Sequence, residues 1–185
     1  GNYYLASLTE QGHTPEAVAQ HLRFTFGVGT SYFMETAKLR AFRQAWHQVV
    51  VAYQPSQTPR AAEIHAVTSP WNQSAYDAYT NLLRATTETM SAAMGGANAI
   101  TVLPYNHAYA APNGFAQRIS RNVQLVLKEE SYLDRIIDPA AGSYYIEYLT
   151  NQLSQQAWKY FQEIEAQGGY LNALQSGWLH QSIEA

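Results

Sequence analysis

The sequence predicts an α/β fold on a parallel sheet, either a piece of an α/β barrel or a small open sheet with covered edges. Three observations carry this. Segments with strand-like alternation are each followed by a longer segment with helical spacing. Gly, Pro and capping residues bound those segments. The composition is that of a packed chain, with 46% hydrophobic and 13% aromatic residues and only 14% charged, against roughly 25% charged in an average soluble protein. A strand-helix rhythm is the pattern of parallel βα units. Three such strands cannot close a barrel and would leave two bare edges.

In order, residues 1–13 are polar, contain Gly12 and read as an irregular start. Thr14-Pro15-Glu16 opens a short helix, with Thr as cap, Pro at the first helical position and an acid near the positive dipole end. Leu22, Phe24 and Phe26 alternate as a strand before Gly27-Val28-Gly29. Ser31 is positioned to cap a helix over about 31–52, with Phe33, Ala37, Arg40, Ala41, Ala45 and Val49 on neighbouring turns. Pro55 and Pro59 bracket a polar turn. Ala61 to Val67 is the second strand, and Thr68-Ser69-Pro70-Trp71 a loop.

Residues 75–94 predict a helix with Tyr79, Leu82, Leu83, Thr86 and Met90 near one face, stopped by Gly95-Gly96. Asn98 to Leu103 is the third strand, followed by a loop to Pro112. Asn113 caps a helix over about 114–130 with Ile119, Val123, Val126 and Leu127 inside. Asp138-Pro139-Ala140-Ala141-Gly142 is a turn. A helix over 145–166 carries Ile146, Leu149, Leu153, Ala157, Phe161 and Ile164, and a last short helix over 170–176 stops at Gly177.

Composition excludes several functions. The net charge of −3 gives no basic face for nucleic acid. No apolar run approaches the roughly 18 residues of a membrane span. No signal peptide is visible at Gly1-Asn2-Tyr3-Tyr4. With no cysteine there is no disulfide, thiolate metal site or Cys nucleophile, which fits a cytoplasmic setting.

Few residues point to chemistry. The six histidines, His13, His21, His47, His65, His107 and His180, make no metal-ligand spacing. His65 is the one of interest, near the C-terminal end of a strand, where βα folds build their sites. A packed or tethered His is the simpler reading. Ser69 lacks the Gly-x-Ser-x-Gly elbow of a nucleophile, and Gly27-Val28-Gly29 lacks the third glycine of a phosphate loop. Glu129-Glu130 reads as a solvated helix end, and Lys38, Arg40 and Arg43 as an exposed basic flank. Tyr105, Tyr109, Tyr144, Tyr145, Trp158 and Tyr160 suit either an interface or a core.

Several segments taken together are more specific. The stretch Tyr32-Phe33-Met34-Glu35-Thr36-Ala37-Lys38-Leu39-Arg40-Ala41-Phe42-Arg43-Gln44-Ala45-Trp46 resembles a helix of the methylmalonyl-CoA mutase family. So do His65…Thr68-Ser69-Pro70-Trp71…Asp77-Ala78-Tyr79-Thr80-Asn81, Arg118-Ile119-Ser120-Arg121-Asn122-Val123-Gln124 and Asp138-Pro139-Ala140-Ala141-Gly142-Ser143-Tyr144. The closing Glu163-Ile164-Glu165-Ala166-Gln167-Gly168-Gly169 and Ile183-Glu184 fit as well, so the resemblance is collinear from about residue 22 to 185.

The resemblance implies part of a (β/α)8 TIM-type barrel, with residues 1–185 as a single domain forming the C-terminal half of the acyl-CoA mutase barrel. Nothing in the chain matches the family's Asp-x-His-x-x-Gly cobalt-ligating motif, so no cobalamin-binding domain is expected here. The departures are informative. Where catalytic chains carry a pattern like Arg-Thr-His-Ser-Gln-Thr-Ser-Gly-Trp, this chain has Glu63-Ile64-His65-Ala66-Val67-Thr68-Ser69-Pro70-Trp71. Where they carry Gln-Ser-Leu-His-Thr-Asn, it has Asn98-Ala99-Ile100-Thr101-Val102-Leu103. Glu63, Ala66, Val67, Asn98, Thr101 and Leu103 are thus the positions of a degenerate pocket. An Arg fork suits a carboxylate, and Glu63 in place of a basic residue is expected to repel one.

No catalytic, cofactor-binding, substrate-binding or metal residue is assigned. The resemblance implies the small, non-catalytic subunit of an isomerase that interconverts methylmalonyl-CoA and succinyl-CoA. The partner it implies is a large catalytic subunit, expected to hold adenosylcobalamin. Nucleic acid and membrane are not expected partners, and the isolated piece is expected to self-associate through its bare edges. Lys38, Arg40, Arg121, Asn122, Gln124 and Asp138 are expected to keep the fold. A catalytically competent mutase barrel and an unrelated α/β interaction module are the alternatives, separated by whether polar anion readers stand at Glu63, Ala66, Val67 and Thr101.

Overall fold

A strand in a one-sided sheet buries alternate residues, and the three strands here do so in phase. The structure, a computed structural model, describes residues 1–53, 61–111 and 113–184. Along the chain run α1 (Asn2–Glu10), α2 (Pro15–His21), β1 (Arg23–Val28), α3 (Tyr32–Ala52), β2 (Glu63–Thr68), α4 (Thr80–Met94), β3 (Ala99–Thr101), α5 (Gly114–Glu129), α6 (Tyr144–Ala166), α7 (Tyr170–Gln175) and α8 (Trp178–Glu184). The described strands form one parallel sheet in the order β1-β2-β3. This is the α/β class with a parallel sheet, as part of a TIM-type barrel requires. The Pro55–Pro59 turn and Pro112 lie outside the described residues.

The helices cover one face only. Ile64, Ala66 and Thr68 of β2 and Val28 of β1 are buried, with Phe24, Phe26 and Ile100 beside them. Right-handed crossovers between sequentially ordered parallel strands place every connecting helix on the same side. The core packs Leu39, Trp46, Val49 and Val50 of α3 and Ala92 of α4 against that face. Phe24 meets Phe42 at 4.7 Å and Trp46 at 4.8 Å, edge to face, the favoured geometry for aromatic pairs. α6 lies along α3 and adds Trp158 and Phe161.

The capping signals hold at two ends and fail at a third. Thr14 Oγ1 accepts the Ala17 N–H at 3.3 Å, and Asn113 Oδ1 accepts the Ala116 N–H at 2.9 Å. Ser31 precedes α3, yet its side chain caps no N–H. Residues expected to be irregular at the start instead form α1 over Asn2–Glu10. Leu5 is fully buried in the core and Tyr53 Oη donates to Asn2 Oδ1 at 3.0 Å, so tertiary anchoring overrides weak local signals.

α4 departs further. It begins at Thr80 rather than near 75, because Asn81 accepts the Ser74 N–H and holds residues 74–79 as a turn. Its buried face is Asn81, Ala85, Glu88, Thr89, Ser91 and Ala92. Of the expected apolar face, Tyr79 and Leu83 are exposed, and Leu82, Thr86 and Met90 are only half-buried. Close packing explains this: a Cβ on Gly95 would lie 3.1 Å from the Leu39 side chain and from Thr36 O, so only small residues fit between α4 and α3. In α5, Leu127 is buried as expected, Ile119 and Val123 are half-buried and Val126 is exposed. α8 was not foreseen from the sequence.

Candidate functional site

The sheet face away from the helices is polar. Arg23, Thr25 and Gly27 of β1 stand beside Glu63, His65 and Val67 of β2, and Ala99 and Thr101 of β3 follow in register. Residues two apart on a strand share a face. The same period that buries Phe24 and Ile64 therefore presents this row.

Two connections run across the strands. Glu63 faces Arg23 and takes both arms of its fork on one oxygen, Nε–H at 3.0 Å and Nη2–H at 2.5 Å. Glu63 is therefore not a lone repelling carboxylate, as expected from the sequence. It is the partner of a cation on the neighbouring strand. Farther along, the His65 ring bridges the sheet, with Nε2 2.8 Å from Thr101 Oγ1 and Nδ1 3.4 Å from Thr25 Oγ1. The tethered reading of His65 fits this geometry, since both ring nitrogens have partners.

The six degenerate-pocket positions do not all share this face. Glu63, Val67 and Thr101 do. Ala66 is fully buried on the opposite face among the core residues. Its small side chain is a packing choice rather than a vacated pocket position. Asn98 is structural: Oδ1 accepts the Ile64 N–H at 2.9 Å and Arg43 Nη2–H at 2.9 Å, tying β2 to β3. The Leu103 side chain is half-buried, and its N–H donates to Thr68 Oγ1 at 2.8 Å.

The basic row on α3 is not a free flank. Lys38 Nζ donates to Gly27 O at 2.8 Å and pairs with Glu35. Arg40 forks onto Asp138 at 2.9 and 3.0 Å, reaches Glu147 at 2.9 Å and donates to buried Thr150 at 2.9 Å. Arg43 donates to the carbonyls of Ala62 and Gly96. All three are spent on internal contacts, spanning distances that helix periodicity does not reveal. Lys38, Arg40 and Asp138 are thus engaged in contacts within the chain, which supports the fold-keeping expectation. Arg121, Asn122 and Gln124 make no hydrogen bond or ion pair among the described residues; Arg121 and Gln124 line a groove of about 330 Å³ beside β3.

Behind the β2–α4 loop sits Glu88, which sequence reasoning missed because it falls within a helix that shows no motif. It is almost fully buried and accepts the Asn72 side-chain N–H at 2.6 Å and the Ser69 backbone N–H at 3.2 Å. Burial pushes its carboxyl above the usual range, and those two hydrogen bonds pull against the shift. Its geometry is that of a loop anchor. Ser69 Oγ accepts the Trp71 N–H at 3.2 Å, and no base adjoins it among the described contacts.

The described residues offer no placed cobalt-ligating histidine. A cobalt-ligating His must present a free ring nitrogen into a cavity. His13, His21, His47, His107 and His180 are exposed on separate elements, and both nitrogens of His65 are engaged. No group of three or more His, Cys, Asp or Glu among the described residues is placed to hold a metal.

Comparison with known proteins places this geometry in context. A family model described as methylmalonyl-CoA mutase matches residues 1–185. The methylmalonyl-CoA mutase small subunit of Porphyromonas gingivalis is 46% identical over the whole chain, which spans 30% of that relative's length. The small subunit of Streptomyces virginiae is 42% identical, again over the whole chain and 30% of the relative. The large subunit of the same organism is 37% identical over 96% of the chain and 24% of its own length.

Proposed function

Since the chain belongs to the methylmalonyl-CoA mutase family, we propose that it is the C-terminal half of the barrel of a small, non-catalytic subunit. The relatives are mutases, which are isomerases. In this reading the whole assembly interconverts methylmalonyl-CoA and succinyl-CoA. A large subunit binds both acyl-CoA and adenosylcobalamin, and this chain stabilises that partner. The cofactor supplies the radical chemistry of the rearrangement when bound to the large subunit. Small- and large-subunit relatives in one organism support a two-chain assembly.

One observation carries the non-catalytic reading. The only cation on the open face among the described strand residues, Arg23, is already matched by Glu63. The rest of that face is Thr25, Gly27, His65, Val67, Ala99 and Thr101. An unpaired Arg fork is the strongest single reader of a substrate carboxylate. Here the fork is taken, and the remaining groups are tied to each other or apolar.

Calorimetry tests this. The full natural chain, titrated with succinyl-CoA without its large partner, is expected to give no heat at millimolar ligand. A catalytic large subunit serves as positive control. Saturable binding by the small chain overturns the reading.

A further inference from the structure

We propose that an apolar ridge at the start of α3 and α6 is the face on which the large subunit docks, which rests on the two-chain assembly proposed above.

The ridge is built locally. Tyr144, Tyr145 and Tyr148 fall on the first turns of α6, three and four residues apart, so successive turns present them together. Phe33, in the first turn of α3, meets Tyr145 edge to face at 5.4 Å. Ile136 and Ile137 lead into Asp138, which the Arg40 fork clamps beside the same two helices. All six are exposed, Ile137 by 98% and Tyr144 by 95%. The acids among them, Asp138 and Glu147, are both matched by Arg40. The ridge therefore presents rings and methyl groups rather than charge.

Its size selects the kind of occupant. A Phe or Tyr side chain carries about 150–250 Å², so at their exposures these six residues offer on the order of 700 Å². The largest apolar patch on a typical monomer is about 300–600 Å², whereas one side of a standard interface is about 800 Å². Aromatic enrichment with depletion of charge marks an interface core, and permanent complexes are the more apolar class. The occupant is thus a permanent partner. Strands that complete a barrel extend the sheet at β1 and β3 and do not cover the helical layer in which the ridge stands. In the proposed assembly the permanent partner is the large subunit.

The test pairs the full natural small chain with its large subunit and measures the dissociation constant by sedimentation. Ile137→Asp and Tyr144→Asp place a charge where the interface core would be dry, and both side chains are too exposed to support the fold of the chain alone. Each is expected to weaken pairing by at least about tenfold while the small chain alone melts as the parent does. Tyr76→Asp, at a position 95% exposed in the 74–79 turn and outside the ridge, is expected to leave pairing unchanged. Unchanged pairing in both ridge variants overturns the inference, as does equal weakening by Tyr76→Asp. A lower melting temperature of either ridge variant alone assigns the ridge to cover by its own chain and also overturns it. So does a parent that dimerises by itself and becomes monomeric in the ridge variants, which assigns the face to a second copy. Failure of the unaltered chains to pair overturns the two-chain assembly itself, a result read without any ridge variant.

Discussion

Arg40 is 11% exposed at its side chain and joins α3 to the 138–142 turn and to the first turns of α6. Removing it strands Asp138 and Glu147 beside each other with no cation between them. Arg40→Ala is expected to cost about 2 kcal/mol, read by urea denaturation, and Asp138→Ala a smaller amount. An unchanged denaturation midpoint for both sinks the fold-keeping role. The pH dependence has a definite sign. The hydrogen bond from Arg40, then the Gly142 N–H, holds the Glu147 carboxyl below the usual range. A depressed carboxyl contributes stability above its unfolded value and loses it as pH falls through the folded one. The gap between parent and Arg40→Ala should therefore narrow on acidification below the ordinary glutamate range. Glu88 runs the other way: its raised carboxyl favours the fold at low pH and costs stability as pH rises through its folded value.

Among elements, the local signals read best where a side chain acts within one turn. Thr14 and Asn113 cap as their sequence neighbours predict. Asn113→Ala should cost about 1 kcal/mol. α4 could not be read this way. Its inward face is small and polar because α3 comes close, and that approach is set by packing between distant segments. Gly95 has φ −78, so alanine fits its backbone. Gly95→Ala is nonetheless expected to destabilise by about 1–3 kcal/mol through overpacking, despite alanine's better helix propensity. A rise in melting temperature would mean that α3 and α4 separate easily. Ser31 shows the limit of capping rules: the residue type and place are right, but its side chain takes no helix N–H.

At the scale of the molecule, a sheet with all its helices on one side leaves its other face and two strand edges uncovered by the described residues. Unpaired strand edges template association. The 185-residue chain on its own is expected to sediment as dimers or larger species, and a single monomeric boundary at micromolar concentration would count against the half-barrel reading. The strand-helix rhythm, two of the helix caps and the family were legible in the sequence, because periodicity, capping and motif order are local or collinear properties. The sequence alone did not reveal which face of each strand is covered, that Ala66 packs in the core, or that Lys38, Arg40 and Arg43 are all consumed internally. Nor did it pair Glu63 with Arg23, 40 residues away. Those outcomes depend on strand register and helix approach, which exist only once distant segments are brought together.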